Sequence, residues 1–193
     1  MSKEHHIIYI AGLSDKQAYG QVVLLKLWRL FGVHAHYHKI GWTDDIAFDI
    51  KLDEVLSKID KLLAHGAQVS VVGSSAAGCT AIIAFSKRKD NINKVITICA
   101  KLLNPGPVNP RYFHENPPLK QSFFQAQPII ANLTDKEKTK FLCIYPIRDK
   151  TVRVQDMTIS GARSKRILAF SHIPAIYTAI IFYGPTISKF IKS

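Results

Sequence analysis

Cysteine is scarce in this chain of 193 residues: Cys79, Cys99 and Cys143 are an odd number, lack C-x-x-C spacing, and each lies in or beside an apolar segment. That excludes a disulfide framework and fits buried thiols in a reducing compartment, so a cytoplasmic location is expected. The N-terminus, MSKEHHIIYIAG, has too short an apolar stretch for a secretory signal and no Ala-x-Ala-like site. Acidic residues are also few, with 14 Asp and Glu against 26 Lys and Arg, for a net charge of +12. Such a balance admits nucleic acid, an anionic membrane surface or an anionic substrate. The densest basic runs, Lys87-Arg88-Lys89 and Arg163 to Arg166, are short, lack interleaved aromatics and read as solvated faces, so no nucleic acid partner is expected. Internal repeats and low-complexity tails are absent, and the length allows a single well-buried domain over residues 1–193.

A long, unbroken hydrophobic run is missing as well. Ile167 to Ser188 contains no Asp, Glu, Lys or Arg, but His172, Pro174, Gly184 and Pro185 interrupt it. Breakers this close together predict a short strand, a turn and a buried amphipathic helix in place of a spanning helix.

What is present is a regular alternation of strand and helix patterns. HIIYIAG (6–12) reads as a buried strand running into a loop. Gln17 to Phe31 reads as a helix with Val23, Leu24, Leu27, Leu30 and Phe31 on its apolar face and Gly32 as its stop. VHAHYHKI (33–40) alternates as a half-exposed strand does, and Asp53 to His65 is an amphipathic helix stopped by Gly66. Further strands are predicted at 69–73, KVITICA (94–100), FLCIYP (141–146) and RILAFS (166–171). Strands separated by helices imply an α/β fold with a mostly parallel sheet covered on both faces. Asn104 to Pro128, rich in proline and carrying Tyr112, Phe113, Phe123 and Phe124, interrupts this rhythm. It is too apolar for a linker and reads as a cap-like excursion over the end of the sheet, with a helix around Leu119 to Gln125.

The stretch VSVVGSSAAGCTAIIAF (69–85) carries the chemistry. A strand stopping at Gly73 and a helix starting near Ala76 leave Ser75 on the tip of a tight turn with small neighbours on both sides. Gly73-Ser74-Ser75-Ala76-Ala77 matches the nucleophile pattern G-x-S-x-G except that Ala77 replaces the last glycine. A phosphate-binding P-loop would need a Lys after Gly78, where Cys79 stands. Asp149, just past FLCIYP, and His172, just past RILAFS, both fall at carboxyl ends of strands, where active sites of parallel sheets lie. A His oriented by a carboxylate can take a serine proton and return it to a leaving group.

Through GSSAAG, the D-x-x-V of Asp149-Lys150-Thr151-Val152, and Ser171-His172, the chain resembles a small member of the α/β-hydrolase superfamily over nearly its whole length. The resemblance implies a minimal version of that fold lacking its first two antiparallel strands. It further implies an oxyanion hole made by the backbone N–H groups of Ala76 and Leu13, with Ala11 standing where relatives commonly carry His. The leading reading is a serine hydrolase for an ester, thioester or related acyl bond: Ser75 attacks, His172 shuttles the proton, Asp149 orients the His, and no cofactor is required. Its partner is a small-molecule acyl substrate, with the excursion as an apolar wall. The alternatives are a catalytically inactive binding protein on the same fold, or a membrane-surface lipase or acyltransferase held by the positive charge. His34, His36 and His38 have H-x-H spacing on one strand, which suits zinc, but a sheet edge also favours such polar residues; no metal is expected, and His5-His6 are expected exposed.

Overall fold

The computed structural model describes residues 4–13, 15, 19–104 and 110–193. Six strands, β1 (His5–Ile10), β2 (Val33–His38), β3 (Gln68–Ser74), β4 (Ile92–Ile98), β5 (Phe141–Pro146) and β6 (Arg163–Ile167), form one sheet in the order β2-β1-β3-β4-β5-β6. Every pairing is parallel. The protein is an α/β structure, and each strand pair is joined by the long crossover that parallel pairing demands. The four central strands are rich in Ile and Val and mostly buried because both of their faces are covered.

Two apolar clusters flank the sheet. On one side α2 (Phe48–Ala64), α3 (Gly78–Lys87) and α5 (Pro117–Ala131) bury Leu52, Val55, Ile59, Ile82, Phe85 and Phe123 against Ile8 and Val71. On the other, α1 (Tyr19–Leu25), a 3-10 turn over Lys26–Phe31, α7 (His172–Phe182) and α8 (Gly184–Ile191) close over Ile7, Tyr9, Val72 and Ile96. The short helices α4 (Pro110–Glu115) and α6 (Asp135–Lys138) complete the chain. Because α1 and α3 leave β1 and β3 on opposite faces and in opposite directions along the sheet, a crevice opens between the carboxyl ends of these two strands, the position where open parallel sheets bind ligands.

Several local expectations shift. The helix expected over Gln17 to Phe31 is seen from Tyr19, with Gln17 outside the described residues, and tightens into the 3-10 turn at Lys26 before stopping at Gly32 (φ +71°). It buries Leu25 and Trp28, while Val23, Leu27 and Leu30 are exposed. The tighter winding rotates the faces, and apolar residues surround this helix, so periodicity could not choose among them. The last strand begins at Arg163 and ends at Ile167, leaving Leu168 and Phe170 in an exposed loop. The uncharged segment after it folds as two helices, α7 and α8, broken where Gly184 packs against Phe31 and Trp28. No helix among the described residues is long and apolar enough to cross a membrane. Helix α5 runs on through Pro128 to Ala131 and packs against α3 and α2, with Leu119, Phe123, Ala126 and Ile130 in the core; residues 105–109 of the excursion lie outside the described set.

Strand β2 is indeed the sheet edge, but its histidines are not simply solvated. His6 and His5 are half-buried, correcting their expected exposure, and the His6 ring stacks between those of His34 and His36. His38 is buried, and neither ring nitrogen has a hydrogen-bond partner among the described residues. Burial, aided by the Lys58 ammonium, lowers its pKa to about 4; burial also lowers His36. The unfolded imidazole titrates near 6.5. Stability is therefore complete above that value and is lost as pH falls towards about 4, because the unfolded chain takes up the proton first. His38 costs the fold up to about 3 kcal/mol at the acid end of this window. We expect His38→Leu to flatten the decline of unfolding free energy between about pH 7 and about pH 5, measured by urea denaturation. Parallel declines in variant and wild type would show that His38 is not the group responsible.

Candidate active site

Strand β3 ends at Ser74 in extended conformation, and Ser75 takes a left-handed φ of +50° before a 3-10 turn over Ser75–Ala77 leads into α3. Such a backbone is unfavourable for a residue with a Cβ and costs about 1–3 kcal/mol. Its cause is the close meeting of strand and helix. A Cβ on Gly73 would overlap Ala77 O and lie 2.8 Å from Gly78 Cα, and one on Gly78 would overlap the Ala100 methyl. Ala77 itself is helical (φ −80°, ψ −2°), a conformation open to any residue, so the missing third glycine of the pattern is not needed. In this chain the close approach falls one position later, on Gly78.

The turn aims Ser75 at His172. Ser75 Oγ lies 2.8 Å from His172 Nε2, and His172 Nδ1 lies 2.7 Å from Asp149 Oδ2. His172 is the first residue of α7 and is buried; the Asp149 side chain is fully enclosed. Its second oxygen, Oδ1, accepts the N–H groups of Thr151 (2.7 Å) and Val152 (3.0 Å), while the Val152 side chain packs into the apolar cluster on the α7 side. Burial alone would raise the Asp149 carboxyl. The hydrogen bond from His172 and the two amides outweigh it, and the group is held below its ordinary value. The loops bearing Asp149 and His172 are tied together by the Ile147 and Arg148 amides, which donate to Ala169 O at 3.0 and 3.4 Å. Arg148 and Lys150, on either side of Asp149, point to solvent and leave its oxygens to these partners.

On the other side of Ser75 runs the loop after β1. A Cβ on Gly12 would lie 2.9 Å from Ser75 Cβ, so only glycine fits. The next residue, Leu13, is half-buried against the α2–α3 core. Ala76 belongs to the first turn after the strand, where amides have no intrahelical acceptor. Three anchors of this loop escaped sequence reasoning. Ser74 Oγ accepts the Gly12 N–H at 3.2 Å and donates to Ile10 O at 3.4 Å, so the other serine of the pair faces away from His172 and links β3 to the loop. Asp15 Oδ2 accepts the Gly41 N–H at 2.6 Å, and Trp42 Nε1 donates to Ala11 O at 3.0 Å. The only sequence signal for Ser74 was its strand parity, which puts its side chain on the same face of the sheet as Val72.

The remaining candidates lie elsewhere. His34 and His36 stand on the β2 edge, where His6 Nδ1 is 2.8 Å from His36 Nε2, and among the described residues no cluster of His, Cys, Asp or Glu is arranged to hold a metal. The three cysteines are free and buried. Between α4 and the start of α5, Phe113, Pro117, Lys120, Gln121 and Phe124 line an open cavity of about 480 Å³. The helices that line it, α4 and α5, follow β4 in the chain, and neither Ser75 nor His172 is among its lining residues.

No protein-family model matches the sequence, and no curated protein is similar to it. Solved structures are similar. Est1E from Butyrivibrio proteoclasticus superposes with a TM-score of 0.66 at 13% identity, covering 100% of this chain and 88% of its own. A monoacylglycerol lipase of Paleococcus ferrophilus gives 0.61 at 14% identity over 98% of this chain and 95% of its own. A meta-cleavage product hydrolase of Pseudomonas fluorescens gives 0.62 at 14% identity over 100% and 92%. At such identities the likeness speaks for architecture, and together with the six-stranded parallel sheet it establishes that this chain has the α/β-hydrolase fold.

Proposed function

We propose that the protein is a serine hydrolase that cleaves an ester, thioester or related acyl bond through a covalent acyl-enzyme. The observation that carries this reading is the unbroken hydrogen-bonded chain from a strained Ser75 through His172 to a buried, ionised Asp149. Ser75 Oγ attacks the acyl carbonyl as its proton passes to His172 Nε2, and Asp149 stabilises the imidazolium and fixes its tautomer. The tetrahedral oxygen takes the amides of Ala76 and Leu13. Collapse expels the alkoxide or thiolate, which leaves with the proton from His172. Water then attacks the acyl-enzyme, gives its proton to His172, and the released Ser75 recovers it as the acid departs.

The hydrolytic chemistry of similarly folded proteins, among them a lipase and a thioesterase domain, supports the reaction class. The aromatic cavity supports an uncharged acyl group, since Phe113, Pro117 and Phe124 give it an apolar wall, with the buried Phe123 ring packed behind Phe113 and Phe124. Unpaired, buried thiols support a cytoplasmic setting.

A fluorophosphonate should label the wild type and Ser74→Ala but not Ser75→Ala; labelling of Ser75→Ala at the wild-type level would remove the nucleophile. Ser74→Ala frees the Gly12 loop and should reduce kcat several-fold with KM little changed. His172→Ala should lose about a thousandfold or more in kcat, and Asp149→Asn should cost less than loss of Ser75. Among p-nitrophenyl esters, short to medium uncharged acyl chains should be preferred, and Phe124→Ala should raise KM for the longer chains most. A preference for charged acyl groups would exclude the aromatic cavity as the acyl site.

A further inference from the structure

The two faces of the molecule are finished differently. Helix α7 turns Ala175, Ile176, Ala179 and Ile180 inward, yet its outer side is also apolar, with Ile173 and Phe182 49% and 70% exposed. Helix α1 packs beside it, Gly20 against the Tyr177 ring, and exposes Tyr19 and Val23 outward, as the 3-10 turn after it exposes Leu27 and Leu30. A helix that is apolar all round is ordinarily covered on all sides. Here one side has no cover, and the patch extends to Leu168 and Phe170 beside His172.

Charge decides what covers it. Residues 19–43 and 157–193, which build this layer and the edge strands flanking it, contain eight Lys and Arg and no Asp or Glu. They hold most of the net charge of +12. Lys26 and Arg29 are exposed beside Leu27 and Leu30; Lys189 is exposed on α8, and Arg163 and Lys165 of β6 lie on the same side of the sheet, with Arg163 over the Phe190 ring. A second copy of the chain docking through this face would set cations against cations, since a two-fold interface meets its own surface. An anionic lipid leaflet meets both needs at once, taking apolar side chains between the acyl chains and cations at the headgroups.

We propose that the α1–α7 face docks the protein on anionic membrane surfaces. Both helices start at the carboxyl ends of the strands, so docking brings the rim around His172 to the lipid. The inference does not depend on the catalytic reading, because binding needs no turnover: Ser75→Ala should bind as the wild type does. The test is co-sedimentation with phosphatidylcholine vesicles made with and without phosphatidylglycerol. The wild type should sediment with the anionic vesicles, weakly or not at all with phosphatidylcholine alone, and less as salt rises. Leu30→Ser with Phe182→Ser removes two strongly exposed side chains, and should weaken binding by about tenfold or more with circular dichroism and hydrolysis of a soluble short ester unchanged. Lys26→Gln with Arg29→Gln should weaken it too. The proposal is overturned if the wild type ignores anionic vesicles at low salt, if binding survives the Leu30/Phe182 substitutions, or if those substitutions instead dissolve a dimer seen by sedimentation equilibrium.

Discussion

The structure hinges on how closely α3 approaches the end of β3. With Gly73 against Ala77 O and Gly78 against Ala100, there is room for a single residue to reverse the chain, and that residue, Ser75, is forced to a positive φ. The strain of about 1–3 kcal/mol is opposed by burial. Every residue of α3 from Gly78 to Phe85 is buried, and Ile82, Ile83 and Phe85 alone are worth about 1.5–3 kcal/mol each relative to exposure. The helix therefore stays where packing puts it, and the turn absorbs the misfit. A consequence is that the hydroxyl is held out from the backbone, towards the His172 ring.

The sheet topology then decides what that hydroxyl can meet. The chain leaves β1 towards β2 and leaves β3 towards β4, so the loops after β1 and β3 part around a crevice. Gly12 and Ser75 touch across it, and Ser74 Oγ bonds the Gly12 amide. On the far side, β5 and β6 deliver Asp149 and His172 through loops joined at Ala169 O. Four strand ends thus supply the parts, and each is fixed by hydrogen bonds to a neighbouring loop more than by its own. Buried Lys101 does the same for the segment behind Asp149: its Nζ reaches Asp156 Oδ2 at 2.7 Å, and Asp156 O accepts the Leu102 and Leu103 amides.

How much of this was readable from the residues depended on whether a pattern had one solution. FLCIYP could only be a buried strand, and β5 is that segment to the residue. Gly-Ser-Ser-Ala-Ala-Gly between strand and helix allowed one tight turn, and Ser75, Asp149 and His172 follow from position on strand ends. The helix at 19–31 had apolar residues on every side, so no face could be selected from spacing. The alternation in VHAHYHKI correctly gave an edge strand, but the burial of His38 depends on packing that the alternation does not encode. Strand β6 was placed too late because Arg163, Lys165 and Arg166 look unlike a strand; as an edge, it has no need to be apolar.

The uncharged stretch from Ile167 to Ser188 shows why composition alone misleads there. Its length suits a bilayer, but the fold needs two things from it that a single straight helix cannot give: an imidazole at a helix start, facing Ser75, and a break where the chain passes Trp28. Trp28 Nε1 donates to Ile180 O at 2.8 Å and its ring abuts Gly184, so the indole both anchors α7 and ends it. The resulting helix has 11 residues. At about 1.5 Å per residue it reaches roughly 16 Å, about half of a hydrocarbon core near 30 Å. Apolar character on both sides of a helix this short can fill a core on one side and lie against an apolar surface on the other, but it cannot cross.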